Sequence, residues 1–135
     1  MFGLSSKSDY GILAIFELAL NYNKSHIQIK DIAERQNIPQ HYLEQLLLQL
    51  KKADFVKSFR GTFGGYALIK NPSKIKIIDI LNIFEGQIEL INNKKNILFF
   101  FWNRKKDEIN KIFNTTFEEL IIEYQKHNNN YMYNI

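Results

Sequence analysis

A three-residue interruption between two short amphipathic segments constrains this chain more than any other feature of its sequence. The segments predict one helix over Ile29–Gln36 and a second over about Pro39–Lys52, separated by Asn37-Ile38-Pro39. Proline is tolerated at the start of a helix because its missing N–H would be unpaired there anyway. Apolar residues recur in the second helix at i, i+3, i+4 and i+7, and the opposite face is polar. These apolar residues are Leu43, Leu46, Leu47 and Leu50. The arrangement is typical of a helix-turn-helix.

A glycine-rich hairpin follows the second helix. Its strands are predicted over Phe55–Phe59 and Tyr66–Ile69, and residues 60–65, RGTFGG, connect them. The three glycines are expected to supply positive φ values and to let the backbone approach a partner closely. Arg60, at the tip, suits a phosphate or a narrow, negative groove. The sequence therefore predicts a mainly α fold with a small β-hairpin wing, a winged helix-turn-helix that binds DNA.

The pattern IAERQNIPxxYLEQLLxxLKKADFVKSFRGxxGGYxLxKxP, which spans both features, resembles the Rrf-two family of bacterial winged-helix transcription regulators. That family includes an iron–sulfur-cluster regulator, a nitric-oxide-sensing repressor and a cysteine-metabolism repressor. The resemblance runs from about Ser6 to Gly86 and continues more weakly to Tyr124. It implies a sequence-specific regulator, most simply a repressor, that acts as a homodimer on a pseudo-palindromic operator.

Ten residues on the second helix, on the hairpin and near the start of the chain are candidates for DNA contact. They are Lys7, Gln40, His41, Tyr42, Glu44, Gln45, Lys51, Ser58, Arg60 and Gly61. Glutamine can pair bidentately with adenine, and glutamate can accept a hydrogen bond from cytosine N4. The resemblance implies DNA contact at Tyr42, Glu44 and Gln45.

A simpler interpretation stands beside several of these candidates, including all those on the second helix. Polar residues on a helix commonly do no more than face water, and family members vary at the positions of Gln40 and His41. Lys51 could instead favour the helix dipole from its C-terminal end. Lys7 could equally be solvated. Arg60 is the stronger candidate because it precedes glycines at a hairpin tip.

Two further helices are predicted around this unit. Ser6 or Ser8 can cap a first helix that runs to about Tyr22 and is apolar nearly all round, so it requires cover on more than one side, with a partner subunit as one source. A short helix over Ile77–Phe84 is expected to end at Gly86.

The C-terminal part predicts an association surface. A long helix from about Lys95 to Phe113 carries more apolar surface than a wing domain can bury, and the resemblance implies that it is the dimerisation helix. Its stripe consists of Leu98, Phe101, Trp102, Ile109, Ile112 and Phe113. Thr115 or Thr116 is predicted to cap a last helix. The predicted organisation is a DNA-binding domain over 1–86, dimerisation helices over 87–127 and a flexible tail over 128–135.

Composition limits the chemistry. The net charge of +4 permits nucleic-acid binding, and residues 1–70 hold nine Lys and Arg against six Asp and Glu. The chain has no cysteine, which removes disulfides, thiolate nucleophiles and a conventional [2Fe–2S] cluster, so no cofactor is expected. Many family members carry three cysteines where residues 87–106 read QIELINNKKNILFFFWNRKK. The resemblance is therefore to the cysteine-free branch, similar to the cysteine-metabolism repressor, whose regulation runs through a partner enzyme.

Several functional alternatives remain open. The three histidines lack metal-ligand spacing and no nucleophile–base set stands out, so neither a metal site nor an enzyme is expected. No signal peptide or membrane span is recognised, which predicts a cytoplasmic protein without a membrane partner. The same face could bind a protein rather than DNA. A regulatory partner protein, or a small metabolite held near the aromatic segment Phe99–Trp102, is left open as an additional partner.

Overall fold

Six α-helices, a short 3₁₀ turn and one hairpin make up the computed structural model, which describes residues 3–133. The elements in chain order are α1 (Ser6–Leu20), α2 (Ile29–Gln36), α3 (Gln40–Lys52), β1 (Val56–Phe59), β2 (Gly65–Leu68), the 3₁₀ turn (Pro72–Lys74), α4 (Ile77–Glu85), α5 (Phe99–Ile112) and α6 (Phe117–Tyr133). The predicted mainly helical fold with a small antiparallel hairpin is confirmed. No helix among these elements has the length and apolar character needed to cross a bilayer.

Helix α1 lies at the centre and contacts α2, α3, α4, α6 and β2. The predicted cover on more than one side of α1 is present, and it comes from helices of the same chain rather than from a partner subunit. At Gly11 the ring of Phe84 from α4 is so close that an added Cβ would clash with it. The N-cap is Ser5, whose Oγ accepts a hydrogen bond from the Ser8 N–H at 3.3 Å, so the predicted cap at Ser6 or Ser8 is wrong.

The helix-turn-helix forms where the sequence predicted it. Helix α2 ends because Asn37 adopts the left-handed conformation, with φ 54°. Ile38 is buried in the turn, and Pro39 is the N-cap of α3 rather than a first-turn residue. The four leucines predicted to face inward are at most 2% exposed. Burial of one face of α3 against α1 and α2 leaves its other face in solvent.

Residues 56–68 form the wing, which is anchored to the α1–α2 loop. Strands β1 and β2 pair antiparallel with Val56 opposite Leu68. Strand β2 begins and ends one residue earlier than predicted. Ile27, in the α1–α2 loop, adds a bridge to Tyr66 through two backbone hydrogen bonds of 2.9 and 2.8 Å. The wing is thereby fixed to the segment that leads into α2.

The glycines of the wing have different roles. Gly61 has φ +99°, whereas Gly64 and Gly65 are not among the positive-φ glycines, so the prediction of positive φ at all three is wrong. A Cβ on Gly64 would lie 2.3 Å from the Phe59 carbonyl oxygen, and one on Gly65 would lie 2.2 Å from the Ile27 carbonyl oxygen. These two glycines permit close backbone approach within the chain itself.

Of the C-terminal helices, only α5 begins at a different residue from the one predicted. Helix α4 ends at Gly86, with φ +78°, as expected. Helix α5 begins at Phe99 rather than near Lys95, because the Asn93 and Asn96 side chains accept hydrogen bonds from backbone N–H groups two residues ahead and form turns instead. At 14 residues, α5 is shorter than α6, which has 17.

Helix α6 begins with the predicted cap. Thr116 Oγ1 accepts a hydrogen bond from the Glu119 N–H at 3.1 Å, and Phe117 is fully buried. The helix continues through residues 128–133, where the sequence predicted a flexible tail. The last two residues of that predicted tail, 134–135, lie outside the described residues.

Candidate nucleic-acid interface

The outer face of α3 is a continuous row of exposed side chains. Gln40, His41, Gln45, Leu48 and Gln49 are all exposed, and Leu48 retains 49% of its accessible surface. A 3.4 Å hydrogen bond joins His41 Nε2 and Gln45 Nε2. Because the amide nitrogen of Gln45 can only donate, His41 Nε2 is the acceptor. Three predicted contact residues thus lie together on this face. Leu48 and Gln49 were not among the candidates.

Two other candidates, Tyr42 and Glu44, are only partly exposed. The ring of Tyr42 packs edge-on against Tyr10 of α1, with 5.7 Å between centroids. Burial, and after it the negative charge of Glu44, raises the pKa of the Tyr66 hydroxyl above its ordinary value. Tyr42 therefore packs against α1, and both side chains border the exposed face.

The last turn of α3 is joined directly to the wing. Lys51 Nζ donates a 2.8 Å hydrogen bond to Ser58 Oγ on β1. This bond brings together two candidates that are seven residues apart in sequence. It also gives Lys51 a specific partner besides the helix dipole. The outer face of α3 and the wing consequently form one surface.

The wing tip is held by residues that the sequence did not single out. The ring of His26 stacks on Phe59 with centroids 4.6 Å apart, and His26 Nε2 hydrogen-bonds to the Phe63 carbonyl oxygen. Gln28 Nε2 donates to the Thr62 carbonyl oxygen at 3.2 Å. These contacts span more than thirty residues of sequence, so no local pattern could have revealed them. They leave Arg60 and Gly61 exposed at the tip.

A cleft of about 410 Å³ separates the wing from the first turns of α2 and α3. Its lining includes Gln28, Lys30, Gln40, Ser58 and Gly61. Lys30, an exposed cation in the first turn of α2, was also missing from the candidates. Lys7 is exposed in the first turn of α1 and does not line this cleft.

The predicted dimerisation stripe lies on α5 and its flanks. No residue of α5 is buried, and the helix is only sparsely packed against the rest of the chain. Of the stripe, Leu98, Trp102 and Ile112 are exposed, and the other three, Phe101, Ile109 and Phe113, are half-buried. The rings of Phe101 and Trp102 meet edge-on with centroids 5.1 Å apart. The helix therefore presents an apolar surface that this chain does not cover.

Comparison with known proteins agrees with this geometry. Residues 4–135 match the Rrf2 family, described as an iron-dependent transcriptional regulator. The chain belongs to the Rrf2, or Rrf-two, family. It is 36% identical to the HTH-type transcriptional regulator CymR of Bacillus subtilis (strain 168) over 121 residues, which cover 87% of this chain and 88% of CymR. The prediction of a winged helix-turn-helix transcriptional regulator is confirmed.

Solved structures of Rrf2 proteins have the same fold. The structure of CymR, the global cysteine regulator of B. subtilis, superposes with a TM-score of 0.78 at 35% identity and covers 89% of this chain and 96% of that one. The structure of T. potens IscR gives a TM-score of 0.80 at 33% identity, with coverage of 93% and 90%. The family and these relatives are transcriptional regulators rather than enzymes.

The iron dependence in the family description does not fit the side chains of this Rrf2 chain. The sequence contains no cysteine, the usual ligand of iron–sulfur clusters. Within residues 3–133, no three His, Asp or Glu side chains converge in a way that could hold a metal ion. Residues 3–133 therefore lack the donor set expected of an iron centre.

Proposed function

We propose that this chain is a sequence-specific DNA-binding repressor that acts as a homodimer on a pseudo-palindromic operator and occupies a promoter. The observation that carries this proposal is the bond between Lys51 and Ser58, which makes the exposed face of α3 and the basic wing one surface. A helix of this kind fits the major groove, and a wing fits the adjacent backbone or minor groove.

The candidate residues divide into two groups by chemistry. Gln40, His41 and Gln45 carry exposed hydrogen-bonding groups suited to base edges, with Tyr42 and Glu44 at the border of that face. The second group supplies cations, a hydroxyl and a flexible tip suited to phosphates and the minor groove. It consists of Lys7, Lys51, Ser58, Arg60 and Gly61. Contacts of the second kind make binding strongly dependent on salt and position the protein without reading sequence.

Dimerisation is supported by the exposed apolar surface of α5. Ile112 is 67% exposed and Phe100 is 66% exposed, which is unfavourable for a helix surrounded by water. A twofold pairing through the stripe defined by Leu98, Phe101, Trp102, Ile109, Ile112 and Phe113 would set two α3 helices about one DNA turn apart, roughly 34 Å.

Genomic footprinting of the tagged protein in its own cells tests DNA binding. The test variant combines Arg60→Ala with Gln45→Ala, and a control combines Gln125→Ala with Lys126→Ala on the exposed face of α6. Discrete palindromic peaks that vanish only in the test variant would support the proposal. Because CymR is the global cysteine regulator of B. subtilis, genes of cysteine metabolism are the first place to look. Absence of peaks from folded wild-type protein would instead favour a protein-binding module.

Sedimentation velocity at micromolar concentration tests the dimer separately. Wild-type protein is expected to sediment as a dimer, and Ile112→Asp is expected to shift it toward monomer because a charge would enter an apolar contact. Glu118→Gln, on the exposed first turn of α6, is the control for an unrelated surface change. A wild-type monomer would refute the homodimer. Quenching of Trp102 fluorescence when a metabolite is added would indicate that it binds near the aromatic segment.

A further inference from the structure

We propose that α3 reads A·T base pairs, with Leu48 packing against a thymine methyl group beside the adenine-pairing amide of Gln45. The inference rests on the proposed sequence-specific binding and adds the class of base pair that the helix selects. It goes beyond the polar residues expected from the sequence, because the central element is an apolar side chain on the surface that faces DNA.

Leu48 is the least expected residue of the interface. Successive helical residues are rotated by about 100°, which puts Leu48 between His41 and Glu44 on the face opposite the buried Leu43 and Leu50. It remains 49% exposed in the middle of the helix. A single exposed leucine is ordinary on a protein surface. Leu48, however, lies among the base-reading candidates, where it can contact the thymine methyl, the apolar group of the major groove.

The polar neighbours of Leu48 favour the same base pair. Gln40, Gln45 and Gln49 are exposed, and a glutamine amide pairs bidentately with adenine N6 and N7. Guanine is most often read by arginine or lysine, but α3 has no cation before its last turn, where Lys51 donates to Ser58 and Lys52 is exposed. The exposed row thus has donors and acceptors for adenine and an apolar group for thymine, and its cations lie only in the last turn.

Glu44 is the residue that could redirect the helix toward cytosine, because a carboxylate accepts from cytosine N4. It is only partly exposed, whereas Gln45 and Leu48 are exposed. Gln45 and Leu48, which lie about one helical turn apart, are therefore more accessible to a base pair than Glu44.

The wing favours A·T sequences independently. Arg60 is exposed at its tip, next to Gly61, which carries no side chain to obstruct a groove. A·T tracts have a narrow minor groove with enhanced negative potential, which attracts arginine. An A·T segment beside the major-groove contacts would therefore suit both parts of the surface.

Selection from a pool of DNA duplexes with a randomised centre, using the full-length protein, tests the inference. The enriched half-site is expected to contain A·T pairs at the positions protected by α3. Replacing each thymine of that site with uracil removes only the methyl group. We expect about three- to fivefold weaker binding at one or two thymines per half-site, as corresponds to the loss of one buried methyl contact.

Two variants assign the effect to Leu48. Leu48→Ala is expected to weaken binding to the thymine site and to abolish the difference between thymine and uracil, and its exposed position means that the fold tolerates the change. Leu4→Ala, at a leucine 54% exposed near the N-terminus, is the matched control and should retain the difference. A thymine-to-uracil difference that persists in Leu48→Ala would overturn the assignment.

The outcomes separate this inference from the function on which it rests. A selected site with G·C pairs under α3, or full tolerance of uracil at every thymine, would overturn A·T reading while sequence-specific binding stands. Selection that enriches no sequence, although the protein is folded, would overturn the proposed function itself.

Discussion

Replacing Gly65 with alanine should detach the wing from the body of the protein. A Cβ at this position would lie 2.2 Å from the carbonyl oxygen of Ile27 and 2.6 Å from its carbonyl carbon. Both are rigid backbone atoms, so no side-chain rotation can relieve the clash. The α1–α2 loop and β2 must separate, and the bridge between Ile27 and Tyr66 is lost.

The structure gives the size of the effect. The bridge contains two backbone hydrogen bonds, of 2.9 and 2.8 Å, each contributing about 1 kcal/mol to stability. Tyr66 is only 8% exposed in the wild type, and its further exposure in the variant adds a loss on the order of 1 kcal/mol. We therefore expect Gly65→Ala to lower the free energy of unfolding by about 2–4 kcal/mol, within the range of mutations that have a specific steric cause. For a domain of this size the Tm falls by roughly 8–15 °C.

Urea denaturation followed by circular dichroism measures this change. Gly3→Ala is the matched control, because a Cβ at Gly3 meets no atom within 4 Å. Its stability should stay within about 0.5 kcal/mol of the wild type. DNA affinity of Gly65→Ala should also fall, since the wing no longer holds Arg60 beside α3. A Gly65→Ala protein as stable as the Gly3→Ala control would refute the claim that close backbone approach requires this glycine.

Three further changes probe other parts of the molecule. Arg60→Ala should weaken DNA binding and reduce the slope of log affinity against log salt by about 1, measured by mobility shift at several salt concentrations; an unchanged slope would argue against a phosphate contact. Hydrogen bonds from Ser5 and then Ser8 hold the pKa of the Glu85 carboxyl below its usual value. That stabilisation is present above the unfolded pKa, about 4.3, and is lost as pH falls through the folded pKa, so Glu85→Gln should flatten the acid limb of a stability–pH profile. Glu17→Ala should cost about 1–3 kcal/mol in urea denaturation, because this buried carboxylate accepts a hydrogen bond from Gln36 and pairs with Arg35 at the end of α2; a neutral result would mean that these two contacts contribute nothing.

The sequence predicted the elements whose signals are local. The bounds of α2 match, and α3 differs by one residue, because leucine spacing and the Asn37 turn act within a few residues of each other. The start of α5 was wrong because Asn93 and Asn96 form turns that compete with the helix, an effect that apolar periodicity does not contain.

The candidate site was predictable in composition but not in arrangement. Residue type and position selected Gln45 and Arg60, both of which are exposed. Periodicity could not show that Tyr42 packs on Tyr10, because that contact depends on how α1 crosses α3. The same holds for His26, which reaches the wing tip across 37 residues of sequence. Contacts of this range exist only once the chain has folded.

The proposed DNA-reading surface and the proposed dimerisation helix are held in different ways. Helices α2 and α3 and the wing are joined by Lys51–Ser58 and by the bridge at Ile27, so they should move as one unit. Helix α5 has no buried residue, and its C-terminal end is joined to α4, where the Phe113 carbonyl accepts a 2.9 Å hydrogen bond from the Ile78 N–H. Helix α4 in turn packs on α1, which supports α3. Helix α5 is therefore linked to the face of α3 through α4 and α1.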